Sequence, residues 1–296
     1  MTKTPHKAGF VSIVGKPNVG KSTLMNVLVG ESLSIITSKA QTTRHRIQGI
    51  INTDDYQIVY SDTPGIMKPV YELHKSMMRF VSTSLEDADL VIFVADLFEK
   101  YDEEDVIKKL GKTDVPVIFL LNKIDLAKDE QQVMDKLAEW ESKISPAETM
   151  VISALEEINT QGLLDLVLKY IPEHPAYFDK DSLTDKPERF FVSEMIREQI
   201  FKTYKKEVPY SCEVLVREFK EDPKIIRIMA DILVERDSQK GIIIGHQGKQ
   251  LKKVGTSARY AMEKFFGKQV FLETYVKVEK DWRRKEQKLK NLGYNQ

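Results

Sequence analysis

The sequence predicts an α/β fold, a mostly parallel sheet with helices on both faces, followed by a smaller α+β domain. Three observations predict it. From Gly9 to Tyr170, short apolar runs alternate with stretches of helical pattern, the order that builds a covered parallel sheet. A charged interval containing Pro172, Pro175 and Pro187 then interrupts the alternation. Beyond it the order becomes helix, strand, strand, helix, helix, strand.

Taken in order, strands are expected at Gly9–Val14, Arg46–Thr53, Tyr56–Ser61, Leu90–Asp96, Val117–Leu121 and Met150–Ile152, which makes a six-stranded sheet. Asn52 to Asp55 reads as a turn, so the second and third strands form an antiparallel hairpin. Helices are expected at Lys21–Val29, Leu73–Leu85, Glu103–Leu110, Glu130–Lys143 and Thr160–Tyr170. The prolines and the charged run Asp179 to Lys186 mark a linker, giving domains at residues 1–172 and 188–296 joined by 173–187. The second domain opens with an amphipathic helix, Ser193–Tyr204. Strands follow at Cys212–Phe219 and Ile225–Glu235, then helices at Ser238–Ile243 and Lys249–Phe265 around a glycine loop, and a last strand at Phe271–Val278.

The chain has 296 residues, enough for two domains, and 42% of them are hydrophobic, enough to bury sizeable cores. The net charge of zero averages two unlike parts: residues 187–296 carry a surplus of 8 positive charges and residues 1–186 a surplus of 8 negative ones. A basic second part suits a polyanionic partner. The single cysteine, Cys212, excludes an intrachain disulfide and points to a reducing compartment. Met1 to Ala8 lacks a signal-peptide core, and no apolar run reaches spanning length, so a cytoplasmic protein is expected.

The chemistry collects at the ends of the apolar runs. Gly15-Lys16-Pro17-Asn18-Val19-Gly20-Lys21-Ser22 follows the first strand and opens the first helix at Thr23. Its backbone N–H groups can curl around a polyphosphate, with Lys21 reaching the β/γ-phosphates and the Ser22 hydroxyl binding Mg2+. Asp62-Thr63-Pro64-Gly65 ends the third strand; Asp62 can hold Mg2+ and the Gly65 N–H can sense a γ-phosphate. Asn122-Lys123-Ile124-Asp125 closes the fifth. The Asp125 carboxylate can accept from N1–H and the 2-amino group of guanine, donors that adenine lacks, which can discriminate by roughly 10⁴-fold. The Lys123 stem can lie over the base. Ser153-Ala154-Leu155 can offer the Ala154 N–H to the guanine carbonyl.

In the second domain, Gly245-His246-Gln247-Gly248 lies between two helices. Glycine lets a nucleic-acid backbone approach, and the following helix aims N–H groups at phosphate. Lys249, Lys252 and Lys253 share a helical face and can neutralise phosphates. Ile243 and Ile244 before the loop, with Leu251 and Val254 after it, are expected to form an apolar wall for unstacked bases. Trp282-Arg283-Arg284-Lys285 begins a basic C-terminal helix, read either as an RNA contact or as a solvated tail.

The phosphate loop, the string Lys39-Ala40-Gln41-Thr42-Thr43-Arg44-His45-Arg46 and the segment Gly241 to Gly255 resemble the bacterial Era family of TRAFAC-class GTPases over nearly the whole chain. That resemblance implies a Ras-like P-loop GTPase domain followed by a type II KH domain. It implies a cytosolic GTP/GDP-binding protein that binds 16S rRNA near its 3′ end and assists small-subunit assembly. Peripheral membrane association is known among relatives, and monomer is the default state.

Ras-like GTPases often place a water-orienting glutamine after the glycine matched by Gly65; here the position is Ile66, so slow intrinsic hydrolysis is expected. Either a partner surface or a K+ ion held by Asn18 can compensate, and Arg44 is open as an internal arginine finger or in an RNA, effector or surface role. Gly30 to Arg44 suits a switch that closes when Thr43, or its neighbour Thr42, reaches Mg2+ and the γ-phosphate. The second switch is expected from Asp62 to Leu73, and His45 and His74 are read as surface residues. Two functional classes stand: a GTPase whose nucleotide state gates RNA binding, and a constitutive RNA-binding scaffold with a structural nucleotide domain.

Overall fold

A computed structural model describes residues 6–99 and 113–294, with Ile107, Leu110 and Gly111 between them. The expected helix Glu103–Leu110 lies largely outside the described residues. The chain divides into two compact units. One comprises residues up to 34, 43–69 and 77–185; the other comprises 35–42, 70–76 and 186–296.

In the first unit, strands β1 (Lys7–Val14), β2 (Ile47–Asn52), β3 (Tyr56–Asp62), β4 (Leu90–Asp96), β5 (Val117–Asn122) and β6 (Glu148–Val151) form one sheet in the order β2-β3-β1-β4-β5-β6. β2 runs antiparallel to β3, as the Asn52–Asp55 turn requires, and the remaining pairs are parallel. β1 and β4 are almost wholly buried, as strands covered on both faces should be. Helices α1 (Lys21–Val29), α2 (Glu72–Glu86), α3 (Glu130–Glu141) and α4 (Thr160–Tyr170) occupy the predicted intervals. The chemistry-bearing loops leave the carboxyl ends of β1, β3, β5 and β6, where α/β sheets gather their ligands.

Residues 173–185, expected as a linker, are instead a strap laid on this unit. β2 is an edge strand, and edge N–H groups need cover. Ile50 N–H donates to Leu183 O at 2.9 Å and Gln48 N–H to Asp185 at 2.9 Å. The buried Gln57 carboxamide accepts from the N–H groups of Tyr177 (2.7 Å) and Phe178 (3.0 Å) and donates to Phe178 O (2.9 Å). A buried amide must find such partners, and the strap supplies them.

The second unit holds α5 (Glu188–Thr203), β7 (Glu213–Glu221), β8 (Ile225–Val234), α6 (Asp237–Ile244), α7 (Lys249–Phe266), β9 (Gln269–Val278) and α8 (Glu286–Asn291). Its sheet order is β7-β8-β9, with β8 antiparallel to β7 and parallel to β9 over ten residue pairs from Ile225–Gln269 to Val234–Val278. Ile196 and Ile200 of α5 and Val254, Ala258 and Met262 of α7 close a core against Ile226, Ile228 and Ile232.

The C-terminal segment is not a solvated tail, for Trp282, Leu289 and Tyr294 are all buried. Trp282 begins a 3-10 turn and is fully buried, its indole N–H donating to Ser211 O at 3.0 Å. Arg283 pairs with Glu235, and the buried Tyr294 hydroxyl donates to Glu213. Large aromatic surface outweighs the charge of the intervening arginines and folds the segment back.

Candidate functional site

The loop Gly15–Ser22 leaves β1 and reaches the N-terminus of α1, where Gly20 takes φ 101. Glycine is required twice here by close approach. A Cβ on Gly20 would lie 2.2 Å from Asn122 Nδ2, and one on Gly65 would lie 2.4 Å from the Pro17 nitrogen. The loops after β1 and β3 therefore touch backbone to backbone, and the Asn122 side chain at the end of β5 packs on the first of them. Asn122, at the end of β5, ties the loops after β1 and β6: its amide donates to Val19 O at 2.8 Å, and its carbonyl accepts the Ala154 N–H at 2.9 Å. That bond holds the Ala154 N–H, the group expected to meet the guanine carbonyl, beside the end of β5.

Three oxygens converge at the start of α1. Ser22 Oγ donates to Asp62 Oδ2 at 2.6 Å and lies 2.9 Å from Thr43 Oγ1, which is 3.4 Å from the same carboxylate oxygen. Hydroxyl and carboxylate oxygens are the donors that Mg2+ takes. Asp62 Oδ1 is buried with no hydrogen-bond partner among the described residues. Such an oxygen is costly unless a cation meets it, so these residues fit the ion. Burial pushes the Asp62 carboxyl up, with Lys21 and the Ser22 hydroxyl opposing. Burial also lowers the Lys21 ammonium to about 8, opposed by Asp62 and Glu99. Lys21 Nζ donates to Lys16 O at 2.6 Å.

Thr63 is buried, its hydroxyl donating to Ile13 O at 2.8 Å, which fixes the turn through Pro64 to Gly65. Ile66 is buried and its N–H donates to Gly15 O at 3.0 Å, so no polar side chain stands there to orient water. Asn18 is exposed at φ 66. Arg44 is fully buried, which corrects the reading of it as a surface residue. His74 is buried as well, against Tyr71 at 3.9 Å, and His45 is half-buried beside Phe80 at 5.6 Å. Neither histidine is a bare surface residue.

Beyond the end of β5, Asp125 is exposed, and the buried Ser153 hydroxyl donates to its Oδ1 at 2.6 Å. Lys123 sits at φ 66 with Nζ 2.9 Å from Asp96, and Leu155 is exposed. The sequence reading missed Asp96 and Glu99. Glu99 lies 3.4 Å from Lys16 Nζ, and burial raises its carboxyl while Lys16 opposes. The available signal was that Asp96 ends β4, an apolar run lying between two others whose ends carry chemistry.

In the second unit the loop Gly245–Gly248 turns sharply, with Gly245 at φ 69, Gln247 at φ 52 and Gly248 at φ 75. His246 and Gln247 are exposed at its tip, and Lys249, Lys252 and Lys253 are exposed beyond it. Ile243 and Val254, expected in the apolar wall, are fully buried core residues; Ile243 O accepts the Tyr204 hydroxyl at 2.6 Å. The loop resets the helical phase, so the wall falls to the half-buried Ile244 and Leu251. A cavity of about 330 Å³ continues from Gly248 between α7 and β9, reaching Arg259 and Thr274, neither foreseen from sequence. The same unit holds residues 35–42: Arg197 donates to Thr42 O, and Lys39 Nζ donates to Phe201 O and Tyr204 O at the end of α5. It also holds Tyr71, whose ring lies 5.0 Å from the Arg283 guanidinium.

Comparison with known proteins bears on both units. A family model described as 50S ribosome-binding GTPase matches residues 10–123, and one described as KH domain matches residues 207–283. GTPase Era of Staphylococcus haemolyticus is 43% identical over 98% of each chain. The crystal structure of an Aquifex aeolicus Era variant bound to GDP.AlF4- matches with a TM-score of 0.93 and 39% identity, covering 98% of this chain and 100% of that one. A structure of Era in complex with MgGDPNP and nucleotides 1506–1542 of 16S ribosomal RNA matches with a TM-score of 0.91 and 38% identity, at the same coverage. With identity of this level along nearly its full length, the chain belongs to the Era family of GTPases.

Proposed function

We propose that this GTPase binds GTP and GDP with Mg2+ and uses its nucleotide state to control binding of the 16S rRNA 3′ end by the second unit, in assembly of the small ribosomal subunit. The observation that carries the nucleotide half is the convergence of Ser22, Thr43 and Asp62 oxygens beside the buried Lys21. When bound, Mg2+ would be held by these residues and would neutralise phosphate charge. The protein's own part is placement: the loop amides of Gly15–Ser22 hold the phosphates, and Asp125, fixed by Ser153, meets the guanine edge. The Era complex with MgGDPNP and 16S nucleotides supports the RNA half. So do the exposed lysines beside the Gly245–Gly248 loop.

Because Ile66 replaces a water-orienting side chain, hydrolysis needs a further group. K+ held near Asn18, or a surface of the small subunit, supplies it in this reading. A cytoplasmic monomer, with at most peripheral membrane association, completes the proposal; Cys212 is a buried thiol, and among the described residues no helix is long and apolar enough to cross a membrane. The test is GTP hydrolysis measured with and without small subunits or the RNA 3′ end. Stimulation supports the control function, and unchanged turnover supports the scaffold reading.

A further inference from the structure

Asp62 Oδ1 is not the only orphaned oxygen of its neighbourhood. Ser34 is buried, and its Oγ also has no hydrogen-bond partner among the described residues. The two groups are close. Burial pushes the Asp62 carboxyl up, and the Ser34 hydroxyl stands with Lys21, Ser22 and Thr43 among the groups that oppose this. Ser34 is thus near enough to act on the carboxyl, yet neither orphaned oxygen bonds the other. A buried hydroxyl left unpaired is costly, so its retention calls for a partner. Two polar groups that are near but unbonded form the arrangement that a bridging water completes.

Ser34 is held in place by a residue of α1. Asn26 lies one helical turn beyond Ser22, on the same face. Its Oδ1 accepts the N–H groups of Leu33 at 3.1 Å and Ser34 at 2.9 Å, and its Nδ2 donates to Ser34 O at 2.8 Å. One side chain therefore binds both backbone groups of Ser34. Leu33 is itself buried, which adds an apolar anchor. The first part of the expected Gly30–Arg44 switch is thus fastened to the helix that carries Ser22.

Resting on the Mg2+-binding reading above, we propose that Ser34 is a positioning residue of the cation site, its hydroxyl and Asp62 Oδ1 together accepting hydrogens from water that the ion carries. Mg2+ dehydrates reluctantly and keeps several waters, whose hydrogens need acceptors. Outer partners of this kind orient a metal site and tune its affinity. Because Asn26 fastens Ser34 to α1, this acceptor stays in place with either nucleotide. Thr43, beyond that anchor, is left to respond to the γ-phosphate.

The test is the release of a fluorescent GDP analogue from the full chain, timed across a Mg2+ titration. Release should slow as Mg2+ rises. Ser34→Ala should move the midpoint to about tenfold higher Mg2+, the scale on which losing an outer hydrogen-bond partner weakens a metal site. A fluorescent GTP analogue should show the same shift. The Tm of Ser34→Ala without Mg2+ should not fall, since the variant removes a buried hydroxyl that has no partner. Ser34→Thr keeps the hydroxyl and should restore the midpoint. Ser22→Ala is the control. If it shifts the midpoint while Ser34→Ala leaves it in place, or if Ser34→Thr shifts it as far as Ser34→Ala does, the proposal is overturned and the Mg2+ reading stands. If Ser22→Ala itself leaves the midpoint in place, the Mg2+ reading fails.

Discussion

Arg197 donates through Nη2 to the carbonyl oxygen of Thr42, while its Nε donates to Glu194 at 2.8 Å. Both charged side chains are almost fully buried. Thr42 is followed by Thr43, whose hydroxyl belongs to the Ser22–Asp62 cluster. Removing one partner of a buried pair strands the other charge, so Arg197→Ala should destabilise the chain by roughly 3–5 kcal/mol. Replacing both, as Glu194→Leu with Arg197→Met, should cost far less. This double variant should fold and bind RNA with the same affinity in GTP-analogue and GDP states. Denaturant titration and RNA binding in the two states check both halves.

Asp125 is the residue expected to choose the base. Asp125→Asn turns an acceptor pair into a donor and an acceptor, which suits the carbonyl of xanthine in place of the guanine 2-amino group. GTP affinity should fall by at least about 10²-fold while xanthosine nucleotides gain. Competition against labelled GDP and labelled xanthosine diphosphate reads this directly, and unchanged GTP affinity would remove Asp125 from the base site.

Gly65 approaches the phosphate loop so closely that a methyl group would overlap Pro17 backbone atoms at 2.4 and 2.6 Å. Gly65→Ala should destabilise the fold by about 1–3 kcal/mol and weaken GDP binding, because one of the two loops must retreat. Thermal denaturation with and without GDP separates the effects. Full nucleotide affinity in the variant would show that the contact has no bearing on the site.

Asn18, exposed at positive φ, is the proposed K+ ligand. GTP turnover should be faster in KCl than in NaCl at matched ionic strength, and Asn18→Ala should abolish the difference. Equal turnover in the two salts would leave hydrolysis dependent on a partner surface.

The nucleotide loops were legible because each ends an apolar run, so strand positions carried Ser22, Asp62, Asn122 and Ser153 to the carboxyl end of the sheet. The strap at 173–185 was not legible, because irregular chain pairing with the β2 edge and the Gln57 amide leaves no periodicity to read. The burial of Ile243 and Val254 was missed because helical phase is lost across Gly245–Gly248. Glu99 reaches Lys16 through a turn after β4, a return that spacing alone does not encode. The assignment of residues 35–42 and 70–76 to the second unit depends on side chains such as Lys39, Arg197 and Arg283, which in sequence are only scattered charges.

The most direct measurement is the affinity of the full chain for an oligonucleotide of the 16S rRNA 3′ end, taken with Mg2+ and a GTP analogue, with GDP, and without nucleotide. The account predicts tight binding with the GTP analogue and weaker binding in the other two conditions. Equal affinity in all three would contradict it and leave a nucleotide site with nothing to control.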